Sequence, residues 1–320
     1  MSFYEIMPMK METVERGKIP LSDLLESPDW VLQQKMDGTR AFIKIKYDEI
    51  SESWDFSWLS SNGSPLKHTA ATQHIADVEQ ALIENHHLHD RLEDPSLTLR
   101  KPMEFVVLEA VLDAELIIST GELYIFDMPW LRSSLDGDEK LLVDPATPAM
   151  RRLIHIQDVL HVYPEFGRVR SLKTAKGAEE KQRMLGKLSA SGVEGGVFKH
   201  VHGAYALDPK KRTKAQLKHK FVKDADVVVL ERNRGGTQNA VLGVLAPSDA
   251  SPLGIAMQEI GSCSMIGKPD AQPGDVIEVE YLYWGGGALV QPRMTRIRHD
   301  KTPDECSIAQ FPAYSREAVQ

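Results

Sequence analysis

Cysteine is almost absent from this chain of 320 residues: Cys263 and Cys306 stand far apart, outside any CxxC or Cys/His spacing. That excludes a disulfide framework and a structural zinc site, and it suits a reducing compartment. No apolar run approaches the roughly 18 residues of a membrane-spanning helix, and the opening segment MSFYEIMPMKMETVERGK has no apolar signal core. A soluble, cytoplasmic protein with no membrane partner is therefore expected. Internal repeats and low-complexity tracts are missing too, which removes solenoids and flexible arrays. Net positive charge is also lacking, since 38 Lys and Arg face 46 Asp and Glu for a net charge of -8. As a sum, this argues against a polyanionic partner, because phosphate contacts need cations.

What is present is ordinary globular material, 42% hydrophobic and 26% charged, with enough length for two cores. The charge is unevenly spread. Residues 210–223 hold seven Lys or Arg and no acid. A basic stripe on an acidic body can carry a strand of phosphates across one face, with Lys210, Lys211, Arg212 and Lys214 as its candidates. A solvated loop accounts for the same residues equally well.

Residues 30–36 and 39–47 are rich in β-formers, and Asp37-Gly38 between them predicts a two-residue hairpin with Lys35 at a strand end. Residues 72–92 place Ile75, Val78, Ala81, Leu82 and Ile83 at helical spacing. Residues 105–118 read as a central strand and 122–126 as another. Helices follow over 151–162 and 175–191, the second closed by Gly192, and then strands over 193–199 and 217–221. With no regular βαβ alternation, the fold class is antiparallel α+β. After Lys223 come short strands over 226–231, 240–245, 276–283 and 289–298. Gly235-Gly236 and Gly285-Gly286-Gly287 mark hairpin ends. This pattern predicts a small closed β-barrel, with the oligonucleotide-binding type a natural candidate. Asp224-Ala225-Asp226 is the expected hinge, and the expected domains are 1–222 and 223–320.

Six short motifs occur in order: KMDGTR from Lys35, LDAEL from Leu112, LYIFD from Leu123, EGGVFK from Glu194, LKHK from Leu217 and RHDK from Arg298. Together they resemble the motifs of the covalent nucleotidyltransferases, most closely the ATP-dependent DNA ligases of minimal two-domain viral or bacterial type. GDVIEVEYLYWGGG, ending at Gly287, is also similar to the barrel strand and glycine turn of those ligases. The resemblance implies an antiparallel-sheet nucleotidyltransferase domain, ATP-grasp-like, followed by an oligonucleotide-binding (OB) barrel. A viral source would place the protein in the host cytoplasm. Only 34 residues precede Lys35, so a large N-terminal DNA-binding domain is not expected.

The chemistry explains why such residue types belong together. A lysine is a nucleophile only when neutral, and its ordinary pKa of about 10.4 leaves almost none neutral at pH 7. Neighbouring cations disfavour the ammonium form and also neutralise a triphosphate as it is attacked. By resemblance, Lys35 is the nucleophile, and Lys218 and Lys220 are its cationic neighbours. Gln33 would accept from the adenine amino group, Arg40 and Glu115 would hold ribose hydroxyls, and Phe126 would stack on the base. Gly38 joins the same nucleotide-binding set. Glu194 would place Mg2+, with Mn2+ as a substitute, and Lys199 would support the phosphates. Asp37 could simply turn the chain, and by the same resemblance it would also act in the later nucleic-acid steps. Arg298, Asp300 and Lys301 would swing in to orient the leaving pyrophosphate. ATP is the implied cofactor and nicked duplex DNA the implied partner of a monomer. Taken singly, these residues have plainer readings. Phe126 could be core packing, Glu194 and Lys199 surface charges beside a glycine turn, and Glu115 an edge-strand carboxylate.

Three departures stand out. Gln33 replaces the usual glutamate, Ser61 in LSSNG replaces the usual arginine, with Lys67 a candidate to compensate, and Ala114 replaces a glycine. His86, His87 and His89 read as surface histidines, Trp54 and Trp58 as packing, and Cys306 as a small apolar residue. The competing functions are an RNA ligase or a GTP-dependent mRNA capping enzyme, and a non-enzymatic nucleic-acid-binding barrel.

Overall fold

The computed structural model describes residues 2–48, 50–67, 74–87, 105–135, 138–160, 168–208 and 210–311. The chain divides into two compact units. Met1–Gly186 with Gly196–His219 make the first, and Lys187–Gly195 with Lys220–Glu317 the second.

The first unit is built on two sheets. In one, strands Ser53–Leu59, Thr39–Asp48, Phe105–Ile117, Glu122–Leu135 and Asp138–Val143 pair antiparallel in that order, and Val169–Ser171 joins Glu122–Leu135 in parallel. Successive residues of a strand face opposite sides, and here both sides are apolar. Ile43 and Leu112 meet Val78 and Ala81 of helix Ile75–His87 and Leu153 and Ile156 of helix Ala149–Leu160 in one core. Their neighbours Phe42 and Val111 pack with Phe3, Ile6, Met9 and Tyr205 in another. Burial on both faces is why 105–117 reads as a nearly unbroken apolar run. It also corrects the plainer reading of Glu115, which lies on a central strand and not on an edge.

The other sheet has the order Lys10–Thr13, Arg212–Lys220, Gly195–His200, Trp30–Lys35, Thr174–Ala175. Trp30–Lys35 and Thr39–Asp48 therefore belong to different sheets, and Asp37-Gly38 does not close the predicted hairpin. The pair instead carries the chain from one sheet to the next. Gly38 is required there for space, because a Cβ would sit 2.4 Å from the carbonyl oxygen of Leu116. The basic segment also differs from expectation. It is neither a loop nor a short strand at 217–221, because Arg212–Lys220 pairs in parallel with Lys10–Thr13. The register runs Met11 to Thr213, then Glu12 to Leu217, so residues 214–216 bulge out of the ladder.

In the second unit, Ile255–Ser264, Asn239–Pro247, Lys223–Arg232, Val276–Tyr281 and Arg293–Ile297 pair antiparallel in that order. Val227, Val229, Leu242, Val244, Ile260, Ile277 and Met294 fill its core. Among the described residues the two outer strands are not paired with each other, so the ladder is open. Sequence reasoning missed Ile255–Ser264, whose mostly exposed residues carry little apolar alternation. The glycine signals did mark turns: Trp284–Gly285 pairs with Ala288–Leu289 across Gly286 and Gly287, at φ 62 and φ 80, as a tight hairpin turn requires. Asp224-Ala225-Asp226 is not a free hinge. These residues pair with Glu280, Val279 and Glu278, because Ala225 and Val227 are core residues that draw the segment into the ladder.

No helix among the described residues is long and apolar enough to cross a membrane. His86, His87 and His89 lie outside the residues whose side chains are described.

Candidate active site

A cavity opens in the first unit, and Gln33, Lys35, Arg40, Glu115, Phe126 and Lys199 line it. Met36, Leu172 and Val197 add apolar wall. Gln33 and Lys35 are two positions apart on one strand, so both project from the same face. Arg40 and Glu115 are directly opposite in the antiparallel register, which brings a cation and a carboxylate together. Gly38 donates its backbone N–H to Glu115 Oε1 at 3.1 Å, tying the KMDGTR turn to the LDAEL strand. Lys35 Nζ donates to the Met36 carbonyl at 3.5 Å.

Behind this wall two buried carboxylates hold the cavity's cations in place. Asp113 takes a two-pronged bond from Arg40, Nε at 2.8 Å and Nη2 at 2.6 Å, while Arg40 Nη1 donates to the Met9 carbonyl at 2.7 Å. Tyr205 Oη donates to Asp113 Oδ2 at 2.6 Å and accepts from the Met9 N–H at 3.1 Å. Burial opposes the charge on Arg40, but Asp113 outweighs it and raises the guanidinium above its ordinary range.

Asp127 is the counterpart. It accepts from Arg152 Nε at 2.7 Å and from Gln216 Nε2 at 2.8 Å, and it stands 3.7 Å from Lys199 Nζ. Arg152, Lys199 and Gln216 are themselves buried. Burial would raise the Asp127 carboxyl, but Arg152 and Lys199 hold it below the usual carboxylate range. Lys199 also donates to the Phe126 carbonyl, and burial pushes its ammonium down to about 8 despite Asp127. Removing Asp127 would strand two buried cations, a change that costs about 3–5 kcal/mol in comparable pairs. The Phe126 ring lies 5.7 Å from the Arg40 guanidinium and 5.3 Å from Lys199 Nζ, so both cations meet its negative face.

At the far wall Gln33 is 2% exposed. Its Nε2 donates to Thr174 Oγ1 at 2.9 Å, and its Oε1 is buried with no hydrogen-bond partner. A buried acceptor of this kind can take a donor from a bound molecule or a water.

Other expected site residues are not among those that line the cavity. Asp37 and Lys218 are not part of it. Glu194, also buried, pairs with Lys220 at 2.9 Å in the second unit. Arg298, Asp300 and Lys301 are in the second unit, where Arg298 binds Asp300 through Nε at 2.9 Å and Nη2 at 2.8 Å. Lys210, Lys211, Arg212 and Lys214 are exposed, as is Ser61. Among the described residues no three His, Cys, Asp or Glu side chains group to hold a metal ion. Trp58 donates to Glu79 from a buried position, and Trp54 packs 4.9 Å from Tyr47, so both tryptophans are packing residues.

Sequence reasoning missed Asp113, Asp127, Thr174, Tyr205 and Gln216. Two of them were visible inside quoted motifs: Asp113 in LDAEL and Asp127 in LYIFD. A carboxylate within an apolar central strand implies a buried cation. Thr174, Tyr205 and Gln216 carry no such signal.

Neither a family model nor a curated protein matches the sequence. Solved structures do. One from work on Lig E DNA ligases, concerned with DNA binding by a minimal scaffold, superposes with a TM-score of 0.54 at 14% identity, over 91% of this chain and 99% of that one. A mycobacterial DNA ligase D complexed with ATP superposes with a TM-score of 0.50 at 17% identity, over 96% of this chain and 99% of that one. At such identities the likeness is one of backbone architecture. The chain has the fold of these DNA ligases.

Proposed function

We propose that this protein is an ATP-dependent DNA ligase that seals nicks in duplex DNA. The observation that carries this reading is the cavity itself, which places Lys35 with the unpartnered Gln33 Oε1 and three charged groups suited to a nucleotide. The adenine 6-amino group is a donor that Gln33 Oε1 can accept, and Phe126 offers a ring face to the base. Arg40 and Glu115 would meet the ribose, and Lys199 the phosphates.

In the first step the neutral Lys35 amine forms an N–P bond to the α-phosphorus of ATP, the bond to the β-phosphate oxygen breaks, and pyrophosphate leaves. The amine gives up its proton, and a lysine-AMP phosphoramide remains. In the second step the AMP passes to the 5′-phosphate of a nick, and Lys35 is released. In the third the 3′-hydroxyl attacks that phosphate, and AMP departs. Positioning and charge neutralisation are the main demands of such transfers, which is why cations dominate the site.

Mg2+, or Mn2+ in its place, would be held by Glu194 together with the triphosphate's own oxygens and would neutralise charge. One carboxylate plus phosphates is an ordinary donor set for Mg2+. Lys218 and Lys220 belong to the same step, and Arg298, Asp300 and Lys301 orient the departing pyrophosphate. The domains are 1–222 for adenylylation and 223–320 as an OB-type domain. The five-stranded antiparallel ladder and the unit boundary after His219 support this division. The exposed cations from Lys210 to Lys214 would grip DNA phosphates, and a monomer suffices for that.

The test is incubation with α-labelled ATP and Mg2+, followed by nicked DNA. Label should bind the chain covalently and be lost entirely in Lys35→Ala, whereas Ser61→Ala should keep it. No label on the folded wild type would refute the proposal. Sealing of nicked RNA but not nicked DNA, or labelling by GTP alone, would favour the RNA-ligase or capping alternatives.

A further inference from the structure

The second unit carries a carboxylate that no motif contains. Asp226 Oδ1 accepts from Arg298 Nη1 at 2.8 Å, and Asp226 Oδ2 accepts from Lys301 Nζ at 2.6 Å. One carboxylate thus spans both cations of RHDK. Its backbone is fixed from both sides, since Asp226 N–H donates to Gln310 Oε1 at 3.1 Å and Gln310 Nε2 donates to the Asp226 carbonyl at 3.0 Å. Strand pairing with Glu278 holds the residue as well. The Asp226 backbone is therefore held in place, and its carboxylate binds the side chains of Arg298 and Lys301.

Arg298 makes further bonds to carboxylates. Nε and Nη2 serve Asp300, and Nη1 lies 3.5 Å from Glu278 Oε2. The guanidinium meets three carboxylates at once, and Arg298 is held above its ordinary range chiefly by its bond to Asp300. Two phosphate-binding cations thus spend this state on oxygens of their own unit. A carboxylate presents two acceptor oxygens in the same fork that a phosphoryl group presents.

We propose that Asp226 is the internal competitor of pyrophosphate: it holds Arg298 and Lys301 until a phosphoryl group displaces it, and so sets the affinity of the motif for pyrophosphate. This rests on the ligase reading above. Asp226 is a positioning residue, since it acts through Arg298 and Lys301.

The proposal makes the wild-type affinity weaker than the cations could supply. Asp226→Asn keeps the shape and one acceptor oxygen while removing the charge, and Asp226→Ser serves as a second variant if the first folds poorly. The measurement is reversal of the preformed lysine-AMP by added pyrophosphate in the full chain, read as return of labelled ATP. Half-saturation by pyrophosphate should fall roughly threefold to tenfold in either variant, as expected on removing partly exposed ion pairs. Glu231→Gln removes a negative charge elsewhere in the same unit and should leave half-saturation unchanged. An unaltered or raised half-saturation in both folded Asp226 variants overturns the proposal, since Asp226 would then merely scaffold the cations. An equal fall in Glu231→Gln also overturns it, as an effect of net charge. If the wild type forms no lysine-AMP at all, the ligase reading itself has failed, which is a separate and recognisable result.

Discussion

Gln33 Nε2 donates to Thr174 Oγ1 at 2.9 Å, and that bond decides which end of the amide is left over at the cavity wall. The Thr174 hydroxyl directs its own proton to the Leu172 carbonyl at 3.5 Å, so it serves Gln33 as an acceptor. In this arrangement the amide nitrogen faces Thr174, and the buried oxygen has no hydrogen-bond partner. Gln33 stands where related motifs carry a glutamate, and it can still accept.

A base with a donor at this edge should be chosen over one with an acceptor. Adenine offers an amino group there, and guanine an oxygen. Opposed acceptors should cost about 1–3 kcal/mol, or roughly fivefold to a hundredfold in labelling efficiency. ATP should therefore label Lys35 well and GTP poorly. Thr174→Val removes the bond that fixes the amide and should narrow the gap between the two nucleotides. Competition between labelled ATP and unlabelled GTP measures both effects.

The Lys199 ammonium has its pKa lowered to about 8 in the folded chain, against 10.5 for the ordinary group. Below about 8 it is protonated in both folded and unfolded states, so the full cost of burying the charge is present. Between about 8 and 10.5 the unfolded chain binds more protons than the folded one, so this group makes stability rise with pH. Lys199→Met should lack that rise, and the difference between wild-type and variant urea midpoints across this window is the measurement. Adenylylation should show the opposite trend. Once Lys199 loses its charge above about 8, the KM for ATP should climb in the wild type.

Strand Arg212–Lys220 and the turn before it present the basic segment, with Lys210 and Lys211 exposed in the turn and Arg212 and Lys214 exposed on the strand. Each phosphate contact releases counterions, so affinity for nicked DNA should fall steeply as salt rises. Lys210→Ala and Lys214→Ala should each lower the slope of log affinity against log salt by about 1, with little change in lysine-AMP formation. Fluorescence anisotropy across a salt series would measure this, and an unchanged slope would remove these residues from the DNA track.

Much of the site was legible because strand periodicity and motif order act locally. Gln33 and Lys35 share a face by spacing alone, and Phe126 and Glu115 fall in segments whose apolar runs announce buried strands. The hairpin at Asp37-Gly38 was misread because turn chemistry reports that the chain bends, not which sheet receives it. Ile255–Ser264 was invisible because an edge strand needs few apolar residues, and Asp226 because its partners lie 72 and 75 residues away.

By itself the sequence determined a chain of mixed α and β structure dominated by sheet, the order of the motifs and the placing of Gln33 and Lys35 on one strand face. These depend on residue type and short-range spacing, which strand and turn sterics enforce within a few residues. Only the tertiary structure decided that Asp113 backs Arg40, that Asp127 backs Lys199 and that Asp226 holds Arg298 and Lys301. A buried or half-buried charge takes whatever opposite charge the packing brings within a few ångströms. Which one arrives is fixed by sheet register and strand order, not by distance along the chain.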